Sequence, residues 1–371
     1  MTRTRPRIPL SAALLALAAL LGAYLTAGFL SGRRPPAPAV GPSLLDGGAA
    51  RVYFTTPSLV YPDVESRRAE SPLLAAVLAD IGAARRSVDV AVFDMDLPEL
   101  GAALVRAARR GVAVRVVLDS LNLEAPEMAA LAGGLERAGV GLRFDRRAPF
   151  MHDKFIVVDR AVVWAGSWNM TANDTYRNSN NMIRLVSRTL SAAYIAEFEQ
   201  LFAGRFGAAK GGGAPPPIGG GRVSVFFSPK GGGEAEVLRR VAAARREVRF
   251  MAFSFTSQPI AEAMIARGAV GVSVRGVVER QNAAGTGSVL GLLRAGGVAT
   301  HEDGACYLLH HKVIVIDGQV VITGSYNFTR GAEQTNDENL LVLEDAGLAR
   351  LYLEEFARLE ALAESPQRCM S

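Results

Sequence analysis

Two stretches of the chain set the same reactive side chains at the same spacing. Residues 151–159 read MHDKFIVVD, and residues 309–317 read LHHKVIVID. Each carries an imidazole (His152, His310), an ammonium two residues on (Lys154, Lys312) and a carboxylate five further (Asp159, Asp317). A short second stretch follows each: Gly166, Ser167 and Asn169 in the first copy, Gly324, Ser325 and Asn327 in the second. Lysine, serine and asparagine donate hydrogen bonds, and lysine adds positive charge, which suits the non-bridging oxygens of a phosphate. An imidazole can attack, or move a proton near neutral pH. Displacement at a phosphodiester needs a nucleophile on one side of phosphorus and an acid on the leaving oxygen opposite. Two imidazoles supply both.

The chain has only four histidines and four lysines, and two of each occupy these equivalent places. Coincidence is a poor account of that. His301 and His311 are read as ordinary structural residues, with His311 facing away from His310. A strand with period 2 puts His152 and Lys154 on one face, and His310 and Lys312 likewise. Asp159 and Asp317 fall on the other face or at the strand end, where they are expected to bond backbone or an arginine. The Gly-Ser pairs place small residues where the backbone must approach something closely.

The elements that must position these groups also occur twice. "RVYFTTP" at 51–57 answers "RVSVFFSP" at 222–229. An amphipathic helix and an alternating strand at 71–96 answer those at 234–256, and a second helix and strand at 100–119 answer 260–279. Residues 152–185 match 310–343 without a gap. Helices alternating with β segments mean α/β layers with a parallel or mixed sheet. Two related halves pack about a pseudo-twofold axis, where equivalent residues meet. The expected organisation is a leader with a Pro-rich linker at 1–40, a first repeat at 41–206, a Gly/Pro-rich linker at 207–221 that cannot pack a core, and a second repeat at 222–371.

Arg3, Arg5, Arg7, Arg33 and Arg34 account for the net charge of +5; without them 36 basic residues face 36 acidic ones. Overall charge therefore gives no support to a nucleic-acid partner. Leu10–Leu30 is an uncharged run of 21 residues between arginines. That is long enough to span a bilayer, so an N-terminal transmembrane helix is expected ahead of a cleaved signal, with the rest of the chain exported. Cys306 and Cys369 could pair, but Cys306 is read as a small buried residue. No Cys/His cluster has zinc spacing, and no structural metal is expected.

H-x-K-x4-D-x6-G-S-x-N, filled at every place in both copies, resembles the phospholipase D superfamily over roughly 51–206 and 222–362. The resemblance implies two α/β/α sandwich repeats with one active site between them in a monomer. It also implies a covalent phosphohistidine intermediate and no metal or cofactor. It assigns His152, His310, Lys154, Lys312, Asn169, Asn327, Asp159 and Asp317 to catalysis. Lys154, Lys312, Ser167, Ser325, Asn169 and Asn327 would hold the phosphate, with Gly166 and Gly324 supporting them.

Thirteen residues beyond the motif serines stand Asn180 in the first half and Glu338 in the second. In the family a carboxylate here often bonds the motif histidine. A carboxylate favours the protonated imidazole and a carboxamide does not. Glu338 is thus expected to keep His310 protonated as general acid, and Asn180 to support a neutral, nucleophilic His152. The leading expectation is a phospholipase D-type phosphodiesterase acting on phospholipid headgroups. Phe150, Met151, Trp168, Tyr307, Leu308, Leu309, Tyr326 and Phe328 flank its site, half of them as core. The alternative is an exported nuclease, because "GSYNFT" resembles small bacterial endonuclease members, with Arg177, Arg280 and Arg330 lining a basic groove. Complete motifs in both halves argue against a non-catalytic scaffold.

Overall fold

The computed structural model describes residues 49–218 and 221–369. The first half contributes β1 (Ala50–Phe54), β2 (Ser87–Val92), β3 (Ala113–Asp119), β4 (Gly141–Asp145), β5 (Lys154–Val158), β6 (Val162–Gly166) and β7 (Asn181–Val186). The second contributes β8 (Val223–Ser228), β9 (Glu247–Ala252), β10 (Ser273–Val278), β11 (Ala299–Glu302), β12 (Lys312–Ile316), β13 (Val320–Gly324) and β14 (Glu338–Glu344). The two seven-stranded sheets repeat one order, β1-β7-β6-β5-β2-β3-β4 and β8-β14-β13-β12-β9-β10-β11. β2, β3 and β4 are parallel, joined by helices Pro98–Arg109 and Pro126–Arg137. β5, β6 and β7 form an antiparallel meander, which makes the sheet mixed.

The helices start where the sequence signals them. The Ser71 hydroxyl accepts from the Leu74 amide, and Pro72 opens helix Pro72–Ala83. Ser257 does the same for Gln258–Ala269. Alternate residues of β5 divide between two cores: Ile156 and Val158 face the outer helices, Phe155 and Val157 the interior. Both faces are covered, so β5 and β12 are buried at every position.

The interior core is common to both halves. Phe155, Val157 and Val163 meet Val313, Val315 and Val321 through helices Arg188–Phe202 and Ala346–Glu364, which supply Tyr194, Phe198, Tyr352 and Phe356. The halves are therefore one compact unit with a helical layer between two sheets.

Two expectations are corrected here. The stretch 207–221 does pack: Lys210 is 3% exposed, and Ile218 pairs with Val223 and joins the interior core. One lysine and one isoleucine suffice to anchor an otherwise Gly/Pro-rich segment. Cys306 is not a lone buried residue but is disulfide-bonded to Cys369, which ties the tail after helix Ala346–Glu364 to the loop before the second motif. The expected membrane-length segment Leu10–Leu30 lies outside the described residues. Among the described residues no helix is long and apolar enough to cross a membrane.

Candidate active site

Lys154 opens β5 and Lys312 opens β12, and each motif histidine sits two residues before its strand. Each ammonium folds back on its own histidine's carbonyl: Lys154 Nζ donates to His152 O at 2.9 Å, and Lys312 Nζ to His310 O at 2.8 Å. Each also lies over a phenylalanine ring, Phe93 at 5.3 Å and Phe253 at 4.5 Å. The same two rings meet the imidazoles edge-on, at 5.2 Å and 4.6 Å. Phe93 and Phe253 follow β2 and β9 directly and were not singled out in the sequence, although they occupy matching places in the repeat.

The histidines meet across the pseudo-twofold axis through exchanged backbone. His152 N donates to Asp337 O at 2.8 Å, and Asp337 N donates to Phe150 O. His310 N donates to Ser179 O at 2.9 Å, and Ser179 N donates to Leu308 O. Each histidine thus lies beside the segment that opens the third meander strand of the other half.

The expected side-chain pairings are overturned by this exchange. Glu338 Oε2 lies 2.7 Å from His152 Nδ1, and Asn180 Oδ1 lies 2.9 Å from His310 Nδ1. Within one half, Glu338 at the start of β14 is separated from the start of β12 by β13. Two inter-strand spacings, about 9.6 Å, put His310 beyond hydrogen-bonding reach.

His310 also has a carboxylate that the sequence reading missed: Asp174 Oδ2 is 3.3 Å from its Nδ1. The gapless match sets Asp174 opposite Ala332, just as Asn180 stands opposite Glu338. That second asymmetry was the available signal. Each imidazole therefore has one carboxylate neighbour, from position 338 on one side and position 174 on the other.

The electrostatics follow from burial beside two lysines. Burial lowers the His152 imidazole well below its usual value, and Lys154 and Lys312 add to the effect. Burial and Lys312 bring His310 down to about 3, against the pull of Asp174. Burial takes Lys154 down to about 8, and burial and Lys154 push Lys312 well down. Burial raises the Glu338 carboxyl to about 8, opposed first by Lys154. Burial would raise Asp174 too. Its pairing with His310, with donors from Asn178 and the Asn169 amide, works the other way and holds the carboxyl below the usual carboxylate range, so Asp174 and His310 act as one pair sharing a proton. A phosphodiester anion would relieve the mutual repulsion of the two ammoniums and let the imidazoles gain protons.

The remaining motif residues divide. Asn169 Oδ1 and Asn327 Oδ1 are buried without a protein hydrogen-bond partner, at matching places in the two halves. Which end of each amide faces outward is set by the network. Ser167 and Ser325 are fully buried, and their hydroxyls are engaged within the protein. The Ser167 hydroxyl donates to Asn180 Oδ1 at 2.8 Å, and Ser325 Oγ accepts from the Asn339 amide at 3.0 Å. Ser167 thereby braces Asn180, which holds His310, and Ser325 also bonds Glu338, which holds His152. Gly166 and Gly324 permit this: a Cβ would lie 2.3 Å from Asn181 O and 2.2 Å from Asn339 O respectively.

Asp159 and Asp317 stand past the far ends of β5 and β12, at positive φ. Asp159 accepts from the amides of Arg85, Arg86 and Ser87, and Asp317 from those of Arg245, Arg246 and Glu247. Five residues of strand, about 17 Å, separate them from the motif lysines. Their assignment to catalysis is therefore replaced by an architectural role. His311 is buried on Glu355 and Asn181, away from the site as expected. Met151, Trp168, Leu309, Tyr326 and Phe328 are core, whereas Phe150 is exposed and Tyr307 and Leu308 are half-buried.

Among the described residues, the site is tied to the linker on the His152 side. Asp337, whose carbonyl receives His152, is bonded by Lys210 at 2.7 Å and Arg147 at 2.5 Å. Lys210 also pairs with Glu197 and donates to Ser228 O. The counterpart of Asp337 is the uncharged Ser179.

With fold and site defined, comparison with known proteins places the chain. A family model described as "Cardiolipin synthase, PLD-like domain" matches residues 77–202 and 237–360. The chain belongs to this phospholipase D-like family. A mitochondrial cardiolipin hydrolase of Xenopus tropicalis is 40% identical over 116 residues, 31% of this chain and 55% of the relative. A phospholipase D of Rickettsia bellii is 34% identical over 140 residues, 38% of this chain and 70% of the relative. This chain thus spans about half the length of the cardiolipin hydrolase it matches. The crystal structure of phosphatidylserine synthase from Haemophilus influenzae superposes with a TM-score of 0.62 over 87% of this chain and 88% of that one, at 12% identity, which shows the shared fold.

Proposed function

We propose that the chain is a phosphodiesterase that cleaves phospholipids through a covalent phosphohistidine. The observation that carries this reading is the pair of buried imidazoles, each with Nδ1 held by an acceptor from the other half. That arrangement engages Nδ1 of each ring and leaves Nε2 for chemistry, with an ammonium bonded to each histidine's own carbonyl. His152 Nε2 attacks phosphorus while His310 Nε2–H protonates the leaving oxygen. A P–N bond forms, the P–O bond breaks, and the alcohol departs. Water then attacks phosphorus, passes its proton to His310, and releases His152. Glu338 stabilises the charge that develops on His152 as it attacks, and the ionised Asp174 favours the protonated His310. Lys154, Lys312, Asn169 and Asn327 hold the non-bridging oxygens.

A lipid substrate is supported by the rim. Phe150 precedes the first motif and packs on Phe93 at 5.4 Å. Leu121 follows Asp119, whose carboxylate accepts from the Met151 amide. Val60 and Val64 flank the segment whose Asp63 amide donates to the Tyr307 hydroxyl. These four are exposed apolar side chains on loops beside the motifs. Arg177, offered for a nucleic-acid groove, is bonded to Asp63 and Asn173. We further propose that the chain is exported and anchored through residues 10–30.

The full-length protein, incubated in EDTA with labelled phospholipid vesicles, single-stranded DNA and duplex DNA, tests the reading. Headgroup or lysis products from lipid with intact DNA are expected. Cut DNA with intact lipid would transfer the activity to the nuclease alternative.

A further inference from the structure

The two motif histidines are approached by like loops. Counted back from the motifs without a gap, Asp303, Ala305 and Cys306 stand where Asp145, Arg147 and Ala148 stand. The amides of Phe150 and Leu308 donate to Asn336 Oδ1 and Asn178 Oδ1, and those of Met151 and Leu309 to the carboxylates of Asp119 and Glu279. The loops differ in what pins them a few residues further back.

On the His152 side the pin is ionic. Arg147 runs from Asp145 to Asp337, and Phe206 and Gly207 pack against its guanidinium. On the His310 side Ala305 and Ser179 replace that arginine and that aspartate. Asp303 is 3% exposed, and its Oδ1 has no hydrogen-bond partner. Burial raises its carboxyl to about 7. Ala305, Tyr307 and Ser179 border a cavity of about 400 Å³, so this loop has room to move.

A covalent pin takes the place of the ionic one. Cys306, four residues before His310, is bonded to Cys369, 63 positions on. The stretch before Cys369 lies along the loop. The Gln367 amide donates to Gly304 O at 2.9 Å, and Gln367 Oε1 accepts from the Cys306 amide at 3.1 Å. Gly304 permits the approach, since a Cβ there would lie 2.1 Å from Leu362 O. Ser365 and Gln367 complete the cavity wall. Residues 365–369 are exposed throughout. Without the disulfide, those two hydrogen bonds alone would oppose the entropy gained by releasing them.

We propose, on the reading of His310 as general acid, that the Cys306–Cys369 disulfide is a redox-sensitive positioning device for that acid, opened by a dithiol. Cys369 is exposed and Cys306 half-buried, so the dithiol reaches Cys369 first. Its thiolate bonds to Cys369 Sγ as the Cys306–Cys369 bond breaks, and Cys306 leaves as a thiolate and takes up a proton. The second thiol of the reductant then closes on its own sulfur and releases Cys369 as a thiol. The dithiol loses two electrons, and the two cysteines gain them. The freed loop drifts into the cavity, and His310 Nε2–H loses its aim at the leaving oxygen. His152, pinned through Arg147 and Asp337, keeps its place.

Full-length protein would be studied by rapid quench before and after treatment with dithiothreitol. Two diesters are compared, one with an alkyl leaving group and one with a nitrophenyl group, which departs without a proton. The chain has two cysteines, so release of two thiols marks complete reduction. Reduction should slow phosphoenzyme formation from the alkyl ester about 10- to 100-fold, and from the nitrophenyl ester by less than about twofold. Reoxidation with glutathione disulfide should restore the alkyl rate. Cys306→Ser combined with Cys369→Ser should start at the reduced rates and ignore dithiothreitol. A loss shared by both esters would make the disulfide a prop of the fold alone and overturn the proposal. Unchanged rates in fully reduced protein, or a double variant that still responds, overturn it too. Oxidised protein that cleaves neither diester refutes the phosphodiesterase reading, and the switch falls with it. Oxidised protein that cleaves both but is indifferent to reduction refutes the switch alone.

Discussion

Replacing Glu338 by Gln isolates the exchanged contact on which the mechanism depends. Glutamine keeps the shape and can still accept from His152 Nδ1–H, but it carries no charge to stabilise the imidazole as it becomes positive. The bond is 2.7 Å long and both partners are buried. A hydrogen bond to a charged group contributes about 1.5–3 kcal/mol. At about 1.4 kcal/mol per factor of ten, phosphoenzyme formation should slow about 10- to 150-fold. The assay is rapid quench with two diesters, one with an alkyl leaving group and one with a nitrophenyl group, which departs without a proton. Glu338→Gln should slow both alike, because it acts on attack. His310→Ala should slow the alkyl ester severely and the nitrophenyl ester little. If the Glu338→Gln deficit vanishes with the nitrophenyl ester, Glu338 acts through the leaving-group acid, and the role given to the 2.7 Å contact is wrong.

Other consequences are equally accessible. Attack needs the His152–Glu338 pair to hold one proton, on Nδ1; a second proton on the pair removes the lone pair of Nε2. With the Glu338 carboxyl raised to about 8, kcat/KM should rise with pH through that region, and Glu338→Gln should flatten the rise. Lys210→Met leaves Glu197 buried without its cation and Asp337 with Arg147 alone, and should cost about 3–5 kcal/mol in urea unfolding. Adding Glu197→Gln should recover part of that loss. Gly166→Ala drives a Cβ to 2.3 Å from the Asn181 carbonyl and must displace the segment holding Asn180. A stability loss of about 1–3 kcal/mol, with alkyl-diester cleavage more than tenfold slower, is expected in paired unfolding and kinetic measurements.

Much of the molecule was legible in the chain. The repeat gave two like halves, and the alternation of helix and strand gave mixed α/β sheets with the motif histidines at strand starts. Asn169 and Asn327 take matching places with buried, unpartnered amide oxygens, and each motif lysine folds onto its own histidine's carbonyl. The errors share a cause. Ser167 and Ser325 were read by donor chemistry alone, and their neighbours turned out to claim the hydroxyls. Residues 207–221 were read by composition, which averages away the one lysine that matters. Cys306 and Cys369 are 63 positions apart, and no spacing rule joins them.

By itself, then, the sequence determined the duplicated histidines, lysines and asparagines of the site, because type and spacing are local properties, but it did not mark Asp174, Phe93 or Phe253. Strand period and turn residues fixed where each group sits on its own element. Only the tertiary structure decided which groups touch. The pseudo-twofold axis brings the opening of β14 to His152 and the segment before β7 to His310, so each imidazole is partnered by the opposite half. Proximity across an axis leaves no trace in sequence order. The intervening β13 explains why the nearer-looking partner, Glu338 for His310, is out of reach.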